Sequence, residues 1–268
     1  LQTIKAPYEK LIEYLNDPNT PWELKMLYLT HAKDNGKLKS MYQIMGENKQ
    51  RSIVDDVCTP NIPCDDYFTI TKQQHMRIYI WLAYNMVNNF LNHEKIKDLI
   101  LMVASLTKTN CDALGIDFCG VGFEEDFQIL LNLFANQLYA FDAENSFLQT
   151  GLNYALTMFI MCLIEKIIKL YYRSQKKDYF IKEDWFSLGH LLNEKDEIIL
   201  DLFGENQTKV LAYYLINGNN GKAGLNLRNN YAHYKNITSK EISWENTVLV
   251  LHILINILNE IKLKTTRS

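Results

Sequence analysis

Leu152-Asn153-Tyr154-Ala155-Leu156-Thr157-Met158-Phe159-Ile160-Met161-Cys162-Leu163-Ile164 and Val248-Leu249-Val250-Leu251-His252-Ile253-Leu254-Ile255-Asn256-Ile257-Leu258 are unusually apolar runs in a chain of 268 residues. Neither holds the roughly 18–20 uninterrupted apolar residues that span a bilayer. Each is broken or bounded by polar groups: Asn153, Glu165 and Lys166 in the first, His252, Asn256 and Asn259 in the second. Both read as central helices of a buried bundle, with a membrane span as the lesser alternative. His252, flanked by apolar residues, and Cys162, within the first run, read as packing residues.

Helical signals also dominate outward from these runs. Thr20-Pro21-Trp22-Glu23 has the pattern of an N-cap threonine, a proline at the first helical position and a glutamate at the third, and predicts a helix to about Ala32. Thr71-Lys72-Gln73-Gln74 is a second start signal. Helical periodicity predicts further helices over Glu94–Leu106 and Phe123–Ala140, with an irregular connection between Thr107 and Gly122. With 11 Gly and 5 Pro the chain has few of the turn residues an all-β protein needs. The fold class is therefore all-α. The expected organisation is an N-terminal helical region of unassigned role (1–145) followed by a C-terminal helical bundle (146–268). No Pro/Gly-rich linker marks the boundary, so one continuous helical body is the alternative.

Hydrophobic residues at 47% and charged residues at 22% give the balance of a globular protein and exclude a disordered chain. The sequence opens at Leu1 without a signal peptide, which leads to the expectation of a cytoplasmic piece of a longer protein with reduced thiols. Cys58, Cys64, Cys111 and Cys119 lack the tight spacing of zinc sites, so no metal is expected. Gly218 to Gly224 fails as a phosphate-binding P-loop, because Ile216 stands where its first glycine belongs and Ala223 where its Ser/Thr belongs.

Asn226-Leu227-Arg228-Asn229-Asn230-Tyr231-Ala232-His233-Tyr234 places an arginine, amides and a histidine within two helical turns. Arginine is a permanent cation shaped for phosphate oxygens, and histidine moves protons near neutral pH. From Asn206 to Lys240 there are five Lys/Arg (Lys209, Lys222, Arg228, Lys235, Lys240) and no Asp or Glu, in a chain of net charge −3. This is a local positive field that attracts a polyanion, with Lys209, Lys222 and Lys235 as RNA-binding candidates. On an ideal helix Arg228 and His233 stand about 140° apart, whereas Asn229 and His233 share a face. The plainer reading is a surface helix that Arg228 and His233 merely cap or pack.

The spacing Arg228-x4-His233, with Asn229 after the arginine, resembles the R-x4-6-H signature of the HEPN superfamily (higher eukaryotes and prokaryotes nucleotide-binding domains). The resemblance runs from the apolar helix near Leu152 to the end of the chain. It implies a HEPN-like bundle acting as a metal-independent endoribonuclease, of the kind found in toxin–antitoxin and phage-defence systems, with no cofactor and no membrane. Arg228, His233 and Asn229 would be catalytic. Glu165, the one acid inside the most apolar helix, and Tyr231 would support them. The resemblance further implies a homodimer through the C-terminal domain that brings two motifs together on RNA, with an antitoxin or other regions of a longer chain as partners. For Glu165, a solvent-facing i,i+4 pair with Lys169 is the competing reading. The run Lys166, Lys169, Arg173, Lys176, Lys177 and Lys182 either widens the basic surface or is a solvated helix face. A non-catalytic helical module binding RNA, a nucleotide or a partner, and a plain helical scaffold, are the other function classes.

Overall fold

The structure, a computed structural model, describes residues 10–34, 36–47, 85–175, 187–192, 196–216, 225–233 and 242–266. The helix expected after Thr71, and Cys58 and Cys64, lie outside them. The described elements are α1 (Trp22–Thr30), β1 (His31–Asp34), β2 (Lys37–Ser40), α2 (Met41–Glu47), α3 (Ile96–Leu114), α4 (Phe123–Asp142), α5 (Ser146–Gln175), α6 (Leu188–Leu191), α7 (Glu197–Leu215), α8 (Leu227–His233) and α9 (Trp244–Thr265). The fold is all-α, with one antiparallel hairpin among the described residues.

Burial explains the second apolar run. Val248 to Asn259 is buried without interruption, as a helix apolar on every side must be in water. α9 is the central rod, packed against α1, α3, α5 and α7. Its polar residues tie it to the elements around it. The Thr247 hydroxyl meets that of Thr157 on α5 at 2.9 Å. His252 Nε2 donates to the Leu29 carbonyl at 2.9 Å, while Nδ1 accepts from the Tyr42 hydroxyl at 2.6 Å. Asn256 Oδ1 accepts from Gln207 on α7 at 2.8 Å. Asn259 Nδ2 donates to the Met26 carbonyl at 2.8 Å and to the Thr30 hydroxyl at 2.9 Å. Buried polar groups cost free energy unless paired, so these bonds lock the rotation and register of α9. His252 is thus an anchor as well as packing.

The first run behaves differently. Within α5, Leu156, Ile160, Leu163, Ile164 and Ile167 face the core, but Phe147, Gly151 and Cys162 are exposed. Cys162 is therefore a surface residue, not the core residue its apolar neighbours predict. Helix periodicity places it on the side opposite Ile160 and Ile164. By length and composition both α5 and α9 are long and apolar enough to cross a membrane. The flanking residues extend each run to more than the bare apolar stretch indicates.

Several boundaries differ from expectation. Pro21, not Thr20, is the N-cap of α1, and its carbonyl accepts from Leu24 and Lys25. The helix stops at Thr30 because the chain turns into the hairpin, in which Asp34 pairs with Lys37. Gly36, at φ 76°, supplies the left-handed conformation this turn needs. α3 continues through Leu114 into the stretch expected to be irregular. It ends at Gly115 (φ 68°), where Gly115 N donates to the Asp112 carbonyl and Ile116 N to that of Cys111. That is the left-handed glycine stop of a Schellman motif.

The turn at 143–145 separates α4 from α5, but the core runs across it. α9 packs on α1 and α3 from the first half as well as on α5 and α7, and α2 packs against α7.

Candidate functional site

α8 owes its position to its inner face. Leu227 and Tyr231, four apart and so on one side of the helix, are buried. The Tyr231 ring stacks on that of Tyr154 of α5, with centroids 5.6 Å apart and planes at 15°. The Tyr154 hydroxyl donates to the Tyr231 carbonyl at 2.7 Å, and Asn246 Nδ2 to the Tyr231 hydroxyl at 3.4 Å. Leu225 N donates to the Tyr213 carbonyl at 2.9 Å, tying the approach to α7. Asn226 then turns the chain at φ 47°, a conformation that asparagine tolerates better than most residues. Its carbonyl accepts the first helical bond, from Asn230 N at 2.9 Å. Tyr231 is accordingly a packing residue that seats the helix; it does not line the pocket described next.

With Leu227 and Tyr231 turned inward, Arg228 and Asn229 lie at the surface, half-buried. An Arg228 guanidinium nitrogen donates to Asn229 Oδ1 at 3.0 Å. Asn229 thus holds the arginine. The side chain of His233, and Lys222 and Lys235, lie outside the described residues; the backbone of His233 closes α8.

Arg228 opens onto a pocket of about 560 Å³ whose floor is α5: Cys162, Glu165, Lys166, Lys169, Leu170 and Arg173, with Val121 at one side. Glu165 forms the i,i+4 pair with Lys169 that is the competing reading for it. Its Oε1 pairs with Lys169 Nζ at 2.7 Å, and its Oε2 accepts from Leu188 N at 3.4 Å, while the residue lines the pocket together with Arg228. Lys166 Nζ pairs with Asp126 Oδ2 at 2.5 Å and lies 4.5 Å from the centroid of the Phe123 ring. The Cys162 thiol shows the local field. Desolvation raises its pKa first and Glu165 adds to this, while the positive charge of Arg228 pulls the other way.

Lys209 is not part of this pocket. It pairs along α7 with Glu205, which sits just outside the acid-free window and offsets part of the charge read there. Tyr154, Val121 and Leu170 escaped sequence reasoning, because ordinary apolar and aromatic residues carry no chemical signature. The i, i+3, i+7 spacing of Lys166, Lys169 and Arg173 is the signal that puts them on one face. Among the described residues no group of three or more His, Cys, Asp or Glu is placed to hold a metal ion.

Compared with protein-family models, curated proteins and solved structures, the chain matches none.

Proposed function

We propose that the chain is a metal-independent endoribonuclease of HEPN type, acting in a toxin or phage-defence setting. One observation carries this reading: α8 seats its tyrosine in the core and presents Arg228, held by Asn229, to a pocket lined by further cations. In this mechanism Arg228 binds a phosphodiester and stabilises the charge that builds on it in the transition state. His233 takes the proton from the RNA's 2′-hydroxyl or returns one to the leaving oxygen. The nucleophile is the substrate's own hydroxyl, so the products are a 2′,3′-cyclic phosphate and a 5′-hydroxyl. The offset of about 140° between Arg228 and His233 on one helix is met by a homodimer in which each RNA site draws on two chains. An antitoxin, or other regions of a longer chain, would hold the activity in check.

The second reading, a non-catalytic module that binds RNA or a nucleotide, is favoured by the state of Glu165. Its carboxylate is engaged by Lys169 and the Leu188 amide, which competes with the supporting role at Arg228 that the resemblance implies. Single-turnover cleavage of labelled RNA, run beside a binding assay, separates the two. The nuclease reading expects Arg228→Ala to lose far more cleavage than binding; the module reading expects binding with no cleavage by any variant.

A further inference from the structure

We infer that the hollow between the start of α1 and one face of α3 is a small-molecule site for an apolar carboxylate, a ligand with an aromatic or aliphatic body and a single anionic head. The hollow shares no lining residue with the pocket at Arg228, and the inference does not depend on the ribonuclease reading.

The head of the ligand is set by the start of α1. Pro21 rather than Thr20 is the N-cap there, and no side chain accepts from the first-turn N–H groups. The positive end of the helix dipole therefore has no capping oxygen. Thr20 is only 7% exposed and lines the hollow, yet its hydroxyl has no hydrogen-bond partner among the described residues. A buried hydroxyl without a partner costs free energy, which a ligand oxygen would recover. Lys25 lines the hollow from the same first turn, where the dipole disfavours a cation, and it has no ion pair among the described residues. Lys95 donates to the neutral Asn16 Oδ1 at 2.7 Å, which leaves its charge uncompensated. Asp98 is the one acid among the lining residues; Asp17 and Glu23, close by in the sequence, do not line the hollow. Two lysines against one aspartate leave a balance of one positive charge. That balance suits a carboxylate better than a phosphate monoester, which carries about −1.5 to −2. The body of the ligand is set by the rest of the wall. Leu15, Trp22, Phe90, Leu101 and Met102 line it, and Leu101 is 51% exposed. Asp98, Leu101, Met102 and Ser105 share one face of α3 by their spacing. A volume of about 680 Å³ with a mostly apolar wall and a few polar groups is what a small-ligand site requires.

The test is calorimetric titration of the full chain with 3-phenylpropionate and octanoate, beside the neutral 3-phenylpropionamide and 2-phenylethyl phosphate. Wild type should bind at least one of the two carboxylates saturably, and the phenyl carboxylate at least about 10-fold more tightly than its amide, the scale of a hydrogen bond to a charged group. Lys25→Gln should lose about the same factor. Thr20→Val, which keeps the shape and removes the hydroxyl, should lose about 3-fold or more. Lys97→Gln changes an exposed lysine of α3 outside the hollow and should leave the affinity as it is. Melting temperatures near wild type confirm that the variants fold; should Lys25→Gln melt early, Thr20→Val carries the same test. Saturable binding of neither carboxylate, equal affinity for the amide, tighter binding of the phosphate, or undiminished affinity in folded Lys25→Gln overturns the inference.

Discussion

Arg228 and Tyr231 are three residues apart and do opposite jobs. Tyr231 is buried against Tyr154, and Arg228 is left at the surface with Asn229 as its hydrogen-bond partner. On the proposed mechanism Arg228→Ala should lower RNA cleavage by at least about 100-fold, the scale of losing a transition-state charge stabiliser, with the melting temperature unchanged. Tyr231→Ala should show the reverse order of effects. Thermal unfolding should reveal a loss of about 3 kcal/mol or more, because a large buried ring leaves a cavity. Among the buried residues, His252 sets a pH dependence. Burial lowers its pKa to about 4, opposed by its bond to the Leu29 carbonyl and assisted by nearby His31. The unfolded chain takes up this proton below about pH 6.5, and the folded chain only near pH 4. Between those values the unfolded state binds more protons, so stability falls as pH falls. The full span amounts to about 3 kcal/mol. Melting temperatures recorded from pH 7 to pH 4 should decline in wild type and decline less steeply in His252→Phe. Parallel curves would remove His252 as the cause.

At the scale of elements, what the sequence made legible follows from how strongly each signal is written. The second apolar run becomes α9 because a helix apolar on all sides can be stable in water only at the centre of a bundle. The length of α3 was less legible. Thr107 to Asp112 are polar enough to pass for a loop, yet they continue the helix until Gly115 supplies a left-handed stop. The hairpin was available in Asn35-Gly36, a dipeptide that favours a two-residue turn. It was masked by a helix-start signal upstream that accounted for only part of the segment. At the site, the motif and the basic row stand out in the sequence. The wall of Val121 and Leu170 and the pairing of Lys209 with Glu205 depend on tertiary packing and on one residue beyond the window read. A test at this scale is Asn259→Leu. It removes the bonds to Met26 and Thr30 that join α9 to α1. Leaving those partners unpaired should lower stability by about 1–3 kcal/mol, measured by thermal unfolding, with RNA binding unaffected.

At the scale of the whole molecule, α9 joins the two halves of the sequence into one core. Residues beyond 145 are then poorly suited to isolation, and assays belong on the entire chain. The proposed shared site makes a further prediction. Mixing Arg228→Ala protein with His233→Ala protein should restore part of the cleavage each has lost, because the heterodimer regains one intact arginine–histidine combination. If each chain instead carries a complete site, no mixture recovers. Light scattering of the active protein should report a dimer at micromolar concentration.

The most direct measurement is cleavage of RNA in EDTA by purified wild-type and His233→Ala protein, with the ends of the products identified. Wild type should cut, leaving 2′,3′-cyclic phosphate and 5′-hydroxyl ends, and His233→Ala should cut at least about 100-fold more slowly. Undiminished cleavage by a folded His233→Ala protein would contradict the proposal.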